Sequence, residues 1–317
     1  MAPPLLPALA EIRQGGKGAL ASALARLEIA GEAADTLALL DEAYASAQAQ
    51  IVGITGPPGV GKSSLIAALI GAWRARGQTV GVIAVDPSSR RSGGALLGDR
   101  TRLRTAPDDA GIFVRSMAAR DRLGGLASLT HSAMVLMRAL FDIVIVETVG
   151  VGQSETEIAG SADTVILCLQ PGSGDTLQFM KAGIVEIPQI MVVTKGDLGE
   201  AAERTRLDAQ AMLRLTGGSG DGDGWQVPVL MVSSQEGHGI DALADATARH
   251  WHFLSEGNRL ARLRREQALS WLTDSIRERW GREGLKRLGH ITLAPGESPF
   301  RRMAELALGG SETAAPK

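Results

Sequence analysis

The sequence predicts an α/β fold, with a mainly parallel, doubly wound sheet flanked by helices and with helical extensions at both ends. Short apolar runs rich in Val and Ile alternate with segments of helical periodicity, and this alternation indicates strands joined by helices. A glycine-rich loop follows the first apolar run and precedes a helical segment, which is the setting of a phosphate-binding loop. Together these observations predict a domain of the P-loop NTPase class.

The composition is that of an ordinary globular protein of 317 residues, with 44% hydrophobic and 21% charged residues. A net charge of −2 argues against a nucleic-acid-binding protein that works through bulk electrostatics. We expect no signal peptide and no membrane association, because the N-terminus lacks a basic start and no apolar run is long enough to cross a bilayer. The single cysteine, Cys168, lies in a strand-like segment, so we expect a buried structural thiol in a cytoplasmic protein.

The chain divides into three predicted segments: an N-terminal helical extension over 1–48, a P-loop domain over 49–256 and a C-terminal helical arm over 257–317. In the first segment, leucines recur at helical spacing on both sides of a break near Gly31. In the last segment, one long helix is predicted over 258–280 and is rich in Arg and Trp. This helix could pack on its own domain, or it could form an oligomer or partner surface, where Trp and Arg are enriched.

Each predicted strand is a run of apolar residues that ends in a polar or glycine-rich loop. The strands lie at 50–55, 80–86, 111–115, 142–148, 164–169, 189–194 and 227–233. The helical segments between them lie at 64–76, 126–140, 200–215 and 239–254. Because the carboxyl ends of parallel strands meet at one edge of an open sheet, we expect the loops that follow the strands to form the ligand site.

The glycine-rich loop fits the phosphate-loop pattern of two glycines separated by four residues and followed by Lys and Ser. It reads Gly56, Pro57, Pro58, Gly59, Val60, Gly61, Lys62 and Ser63, with Ser64 next in the first helical turn. Backbone N–H groups of such a loop converge on an anion, and the helix dipole adds a favourable field. We therefore expect Lys62 to reach the β- and γ-phosphates and the Ser63 hydroxyl to hold Mg²⁺.

A second motif predicts guanine as the base. Thr194, Lys195, Gly196 and Asp197 follow a buried strand, at the place of the base-recognition motif of G proteins. The Asp carboxylate would accept from the guanine ring N–H and exocyclic amine, whereas adenine offers no matching donors. The usual motif begins with Asn, but the Thr194 hydroxyl can still tie this loop to the phosphate loop. Ser233 and Ser234 supply the small residues that close over the base.

Two acids follow predicted strands and are candidates for a switch. Glu147 is followed by two residues and then by Gly150, the layout of a segment that senses the γ-phosphate. Asp86 lies at the end of the second strand, where it could position water or reach Mg²⁺. Either acid could instead cap a helix or a turn. Gln153 could orient water, although it falls later than a Ras-like glutamine would.

Several longer stretches are similar to the MeaB/ArgK family of SIMIBI-class P-loop GTPases. They lie at 85–89, 93–99, 146–155, 171–175 and 181–184, and the resemblance runs from the N-terminal helices to at least residue 255. Members of this family associate with adenosylcobalamin-dependent acyl-CoA mutases such as methylmalonyl-CoA mutase. They gate cofactor delivery and protect the mutase from inactivation. The resemblance therefore implies a GTP-hydrolysing chaperone that binds GTP, GDP and Mg²⁺ and acts on such a mutase.

The same resemblance assigns roles to particular residues. It places Asp86 and Asp99 in switch I and Glu147 in switch II, and together with Ser63 these acids form the expected Mg²⁺ site. It also places Lys181 in a mobile loop that couples the nucleotide state to the mutase, so Lys181 joins Lys62 and the three acids as an expected catalytic residue. Family members dimerise through C-terminal helices, which implies a homodimer.

Two other functions are alternatives for a chain with these motifs. A related metallochaperone GTPase that inserts nickel would need Cys and His clusters near the nucleotide, and the sequence has one cysteine in a predicted strand. A P-loop kinase acting on a small substrate is the second alternative. The base-recognition motif and the glycine-flanked switch segments argue against it.

Overall fold

A computed structural model of the chain describes residues 7–87, 108–119, 128–148, 158–172, 187–215 and 224–311. The chain forms two compact units. The α/β unit comprises Ala49–Ala127 and Phe141–Arg259. The helical unit comprises Met1–Gln48, Ser128–Leu140 and Leu260–Lys317. Residues from both ends of the chain and from its middle therefore belong to one helical unit.

A parallel sheet of seven described strands is the centre of the α/β unit. In chain order the strands are β1 (Gln50–Thr55), β2 (Val80–Pro87), β3 (Ile112–Ala119), β4 (Ile143–Glu147), β5 (Thr164–Leu169), β6 (Ile190–Val193) and β7 (Val229–Met231). Across the sheet the order is β3-β2-β4-β1-β5-β6-β7, and every neighbouring pair is parallel. This arrangement confirms the predicted α/β class. Because β1 lies between β4 and β5, the loop after β1 is flanked by the carboxyl ends of both.

The sheet is covered by helices, which explains why its strands are apolar at nearly every position. Strands β1, β4, β5 and β6 are buried along their whole length. One buried cluster joins the sheet to α3 (Lys62–Ala75) and to α6 (Ile240–Ser255), and Trp73 is its largest side chain. A second cluster joins β5 and β6 to α5 (Glu200–Leu215). Burial of each large apolar side chain contributes about 1.5–3 kcal/mol, so these clusters fix the sheet that carries the site loops.

The helical unit contains five described helices. They are α1 (Leu9–Ala30), α2 (Ala34–Ala45), α4 (Ser128–Arg138), α7 (Arg259–Leu288) and α8 (Pro299–Ser311). The rings of His131 in α4 and Trp271 in α7 stack with centroids 4.9 Å apart, and Phe300 of α8 packs against both. An ion pair from Arg301 to Asp41, 2.9 Å, links α8 to α2. These contacts join residues that are far apart in the sequence.

Helix α4 was expected in the P-loop domain, since it lies between two of its strands, and the structure instead groups it with the terminal helices. Hydrogen bonds between the C-terminal end of α4 and the N-terminal part of the chain explain this grouping. The Arg13 guanidinium donates to the Ala139 carbonyl at 2.8 Å, and the Gln48 amide donates to the Arg138 carbonyl at 3.1 Å. Side chains from Ala133 to Ala139 are all buried, and they include the charged Arg138 as well as apolar residues.

Some boundaries differ from those that the sequence predicts. Helix α7 does not end at Trp280; it bends at Gly281, whose φ of 67° is non-helical, and continues to Leu288. Strand β7 covers three residues rather than seven, and Pro228 just before it has no N–H to donate to a ladder. Among the described residues, no helix combines the length and apolar character needed to span a bilayer.

Candidate functional site

The loop between β1 and α3 has a backbone that only glycine can adopt at its first position. Gly56 has a φ of 141°, and a Cβ there would lie 2.5 Å from the carbonyl oxygen of Cys168 in β5. Gly61, with a φ of 105°, is the N-cap of α3. Val60 is fully buried in the core, whereas Pro58 and Gly59 are exposed. The loop is thus fixed at its ends and open to a ligand between them.

The amino end of α3 is suited to an anion. In its fully described first turn, no side chain caps the helix and no acidic residue occurs. The ammonium of Lys62 is buried, and it donates hydrogen bonds to the carbonyl oxygens of Gly56 at 2.7 Å and of Pro57 at 3.2 Å. The helix dipole, the backbone N–H groups and the Lys62 charge all favour a phosphate group at this loop.

Ser63 and Glu147 meet at the carboxyl edge of the sheet. Glu147 is the last residue of β4, and it pairs in register with Ile54 of β1. The Ser63 hydroxyl donates to a Glu147 carboxylate oxygen at 3.1 Å, and Glu147 is buried. A hydroxyl and a carboxylate oxygen are the kinds of ligand that Mg²⁺ prefers, so this pair fits the metal that the sequence predicts.

The loop from Thr194 to Asp197 is tied to the phosphate loop by two consecutive side chains. The buried Thr194 hydroxyl donates to the Val60 carbonyl at 2.7 Å, and it also lies 3.1 Å from the Leu169 carbonyl. Lys195 has a left-handed backbone, with a φ of 53°, and its ammonium donates to the Gly59 carbonyl at 3.3 Å. The hydroxyl link between the two loops that the sequence predicts is therefore present.

The carboxylate of Asp197 is exposed and has a hydrogen bond to Ser233. This bond is the main cause that lowers the pKa of Asp197, so the side chain is an acceptor at neutral pH. Ser233 is buried, and its hydroxyl in turn accepts from the Glu236 amide at 3.2 Å. The Gly196 amide donates to the Val232 carbonyl at 2.8 Å. The 194–197 loop and the chain after β7 are thus held together as one rim, with Ser234 half-buried beside them.

Several predicted residues cannot be placed in this geometry. For Asp86 the structure describes the backbone alone, at the carboxyl end of β2 and in register with Ala118 of β3. Asp99, Gly150, Gln153 and Lys181 lie outside the described residues. The structure brings the predicted residues together in two groups. The first is Lys62, Ser63 and Glu147, and the second is the 194–197 loop with Ser233.

Cys168 lies where a structural thiol is expected, and two further residues near the site were not predicted from the sequence. The Cys168 thiol is fully buried, and burial raises its pKa to about 12, so it is not a thiolate at neutral pH. These residues are Thr55, which directly precedes the phosphate loop, and Thr148, which directly follows Glu147. Their buried hydroxyls lie 3.4 Å apart. Adjacency to two motifs is the only signal of them in the sequence.

The phosphate loop follows the central strand β1 of a parallel sheet, and the 194–197 loop after β6 is hydrogen-bonded to it. This arrangement defines a P-loop nucleotide-binding protein of the G-protein type. The chain belongs to the MeaB family, described as methylmalonyl-CoA mutase-associated GTPase, whose family model matches residues 20–284. It is accordingly a GTPase, as the resemblance implied.

The names of similar proteins agree with this family. A protein of Pyrococcus horikoshii named "Putative GTPase" is 46% identical over 218 residues, which cover 68% of each chain. The mouse protein named "Methylmalonic aciduria type A homolog, mitochondrial" is 37% identical over 230 residues, which cover 72% of this chain and 55% of the mouse protein. Residues 20–284, which the family model matches, include every loop of the site described above.

Solved structures share the fold. The crystal structure of a LAO/AO transport system kinase matches 95% of this chain and 96% of its own, with a TM-score of 0.67 and 27% identity. HypB from Helicobacter pylori, solved in complex with nickel, matches 70% of this chain and 95% of its own, with a TM-score of 0.51 and 17% identity. The second similarity concerns the fold alone.

Proposed function

We propose that this GTPase gates adenosylcobalamin delivery to an adenosylcobalamin-dependent acyl-CoA mutase and protects that mutase from inactivation. The observation that supports the proposal is the match of residues 20–284 to a family described as methylmalonyl-CoA mutase-associated. The similarity to the mouse protein named for methylmalonic aciduria type A adds to it. A cytoplasmic location is part of the proposal.

The proposal assigns GTP and GDP to the phosphate loop and to the 194–197 loop. Lys62 and the backbone N–H groups of the loop bind the phosphates, and Asp197 binds the guanine. Mg²⁺ is held by Ser63 and Glu147, together with Asp86 and Asp99. When bound, this ion neutralises charge on the phosphates. The hydrogen bond between Ser63 and Glu147 supports the assignment, since it brings two oxygen ligands together.

The homodimer is proposed to form through the C-terminal helices. Half-buried Trp280 of α7 lies beside Arg279, whose guanidinium is 5.6 Å from the indole ring centroid. Trp and Arg are the residue types that contribute most at interfaces. Light scattering of the whole chain tests this part, and Trp280→Ala is expected to shift the mass from dimer to monomer. A wild-type mass of one chain at micromolar concentration contradicts it.

The central experiment is a GTPase assay with and without the mutase of the same organism. We expect the mutase to accelerate hydrolysis. The expected catalytic role of Lys181 belongs to the loop that couples to the mutase, so we expect Lys181→Ala to keep its intrinsic rate and its complex with the mutase but to lose the acceleration. Lys17→Ala, on the helical unit, is the matched control and should be accelerated like the wild type. An unchanged wild-type rate with every adenosylcobalamin-dependent mutase of the organism rejects the coupling, whereas full acceleration of Lys181→Ala rejects only the role of that lysine.

The nickel alternative lacks a supporting observation. Within the described part of the chain, no group of three or more His, Cys, Asp or Glu side chains is arranged to hold a metal ion. The kinase alternative is tested in the same assay, because a phosphorylated small molecule would appear in place of inorganic phosphate.

A further inference from the structure

Two threonines lie side by side where β1 and β4 separate. The two strands pair in parallel up to Ile54 and Glu147. One residue further along, the Thr148 amide lies 3.4 Å from the Ile54 carbonyl, and the Thr148 hydroxyl donates to the Thr55 hydroxyl at 3.4 Å. Each threonine is 1% exposed. The hydroxyl pair therefore lies inside the protein, at the point where one strand continues into the phosphate loop.

Apolar packing alone does not account for hydroxyls at this point. Valine has the shape of threonine without the polar atom, and it suits a buried strand at least as well. Both strands use Ile or Val at most of their other buried positions, such as Ile54 and Val146. A buried hydroxyl needs a partner, and each of these two supplies the partner of the other. The pair thus joins two particular points of the main chain.

Those two points adjoin the groups of the nucleotide site. Thr55 directly precedes Gly56, where the phosphate loop begins, and Thr148 directly follows Glu147. Successive side chains of a strand point to opposite faces, so Thr148 acts on Glu147 through the backbone and not by contact of side chains. The Glu147 carboxylate accepts from Ser63 on the far side of that backbone. A fixed spacing between residues 55 and 148 therefore fixes the spacing between Glu147 and the start of α3.

We propose that Thr55 and Thr148 form a positioning pair that holds the Glu147 carboxylate at the phosphate loop during GTP hydrolysis. Neither threonine touches the nucleotide. The inference rests on the proposed roles of Ser63 and Glu147, and it does not depend on the mutase. Because a small displacement of a group at the reacting centre lowers the rate strongly, loss of either hydroxyl should act on turnover more than on binding.

The test compares four variants of the full chain: Thr148→Val, Thr55→Val, the double variant and Thr148→Ser. We expect each single valine variant to lower kcat for GTP about tenfold, with the affinity for GDP changed less than about twofold. The double variant should be no slower than the single ones, because each already breaks the same link. Thr148→Ser retains the hydroxyl and should keep the wild-type kcat.

The control is Thr247→Val. Thr247 is also 1% exposed and lies in the same unit, but its hydroxyl donates to the Ala244 carbonyl within α6. It should hydrolyse GTP at the wild-type rate even where its melting temperature falls like that of Thr148→Val. A structural role alone would lower the melting temperature of both variants and leave both kcat values unchanged, and that result overturns the inference.

Glu147→Gln separates this inference from the site assignment. Full hydrolysis by Glu147→Gln overturns the role of Glu147 and the positioning pair with it. An inactive Glu147→Gln beside a fully active Thr148→Val overturns the positioning pair and leaves the site assignment intact. Additive losses in the double valine variant also overturn it, since they show that the two hydroxyls act separately.

Discussion

The hydroxyl of Thr194 donates a hydrogen bond to the carbonyl oxygen of Val60 at 2.7 Å, and this contact joins the end of β6 to the phosphate loop across 134 residues of sequence. The same hydroxyl lies 3.1 Å from the Leu169 carbonyl. The Thr194 hydroxyl, at a position where the motif usually has Asn, thus links the ends of β5 and β6 to the phosphate loop. A shift of the 194–197 loop would therefore be transmitted to the phosphate loop.

Thr194→Val should weaken guanine-nucleotide binding. It removes the donor and leaves a buried carbonyl without that partner, at a cost of about 1–3 kcal/mol, so we expect the Kd for GDP to rise about tenfold. Titration calorimetry measures it, and Thr194→Ser should bind like the wild type. Thr205→Val, which removes a hydroxyl bonded to the Ala201 carbonyl in α5, is the control. Equal Kd values for Thr194→Val and the wild type would show that the link has no effect on binding.

Base selectivity should depend on Asp197. We expect GDP and GTP to bind far more tightly than ADP and ATP, and Asp197→Asn to erode this preference because the amide presents a donor where guanine already donates. The measurement is the ratio of Kd values for GDP and ADP in each variant. Asp241→Asn makes the same change in charge at an exposed residue of α6 that pairs with Arg76, and its ratio should stay at the wild-type value. Equal affinity of the wild type for GTP and ATP contradicts the assignment.

Substitution of the switch acids should affect GTP hydrolysis much more than nucleotide binding. Intrinsic hydrolysis is expected to be slow, and Glu147→Ala and Asp86→Ala should reduce it at least about 100-fold while GDP binding largely survives. Lys62→Ala should do the opposite and abolish tight binding, because it removes the cation of the phosphate loop. Single-turnover assays and calorimetry on the same preparations give both quantities. Normal hydrolysis by both acid variants would refute their assignment.

Acid should destabilise both units through one buried histidine in each. Burial, and then the nearby Arg138, lower the pKa of His131 to about 3, and burial lowers the pKa of His250 to about 4 despite the opposing effect of Asp163. Both are neutral in the folded protein, whereas the unfolded chain takes up their protons below about pH 6.5. Stability is therefore fully present above that pH and is lost as pH falls toward the folded pKa values. At pH 5 each histidine should cost about 2 kcal/mol.

Urea unfolding at pH 7.5 and pH 5.0 measures this loss. His131→Phe keeps a ring against Trp271 and removes the titrating group, so its loss of stability between the two pH values should be about 2 kcal/mol smaller than that of the wild type. His290→Phe replaces an exposed histidine and should lose as much as the wild type. The hypothesis is wrong if His131→Phe and the wild type lose equal stability.

The sequence predicted the sheet well because its strands are defined locally. Runs such as Ile143–Glu147 are short and apolar up to their last residue, so they can be recognised from their own residues, although the strands with which β4 pairs, β1 and β2, lie far from it in the sequence. The phosphate loop was predicted for a similar reason, since its pattern is contiguous. The grouping of helix α4 with the terminal helices could not be predicted from the sequence, because periodicity indicates a helix without showing which elements it packs against. The Thr55–Thr148 pair was missed because its residues are 93 positions apart and each is an ordinary strand residue.

The position of helix α4 in the chain also affects the order in which the two units can fold during synthesis. All seven described strands precede residue 232, so the sheet can be completed while the ribosome is still adding α6 and α7. The helical unit cannot be completed then, because Trp271 and Phe300, which cover His131 of α4, are among the last residues made. The part of α4 that Trp271 and Phe300 cover therefore stays exposed until the C-terminal helices emerge, and transient exposure of this kind favours aggregation. A chain that stopped near the end of α6 would contain all seven described strands but would leave His131 without these two aromatic partners.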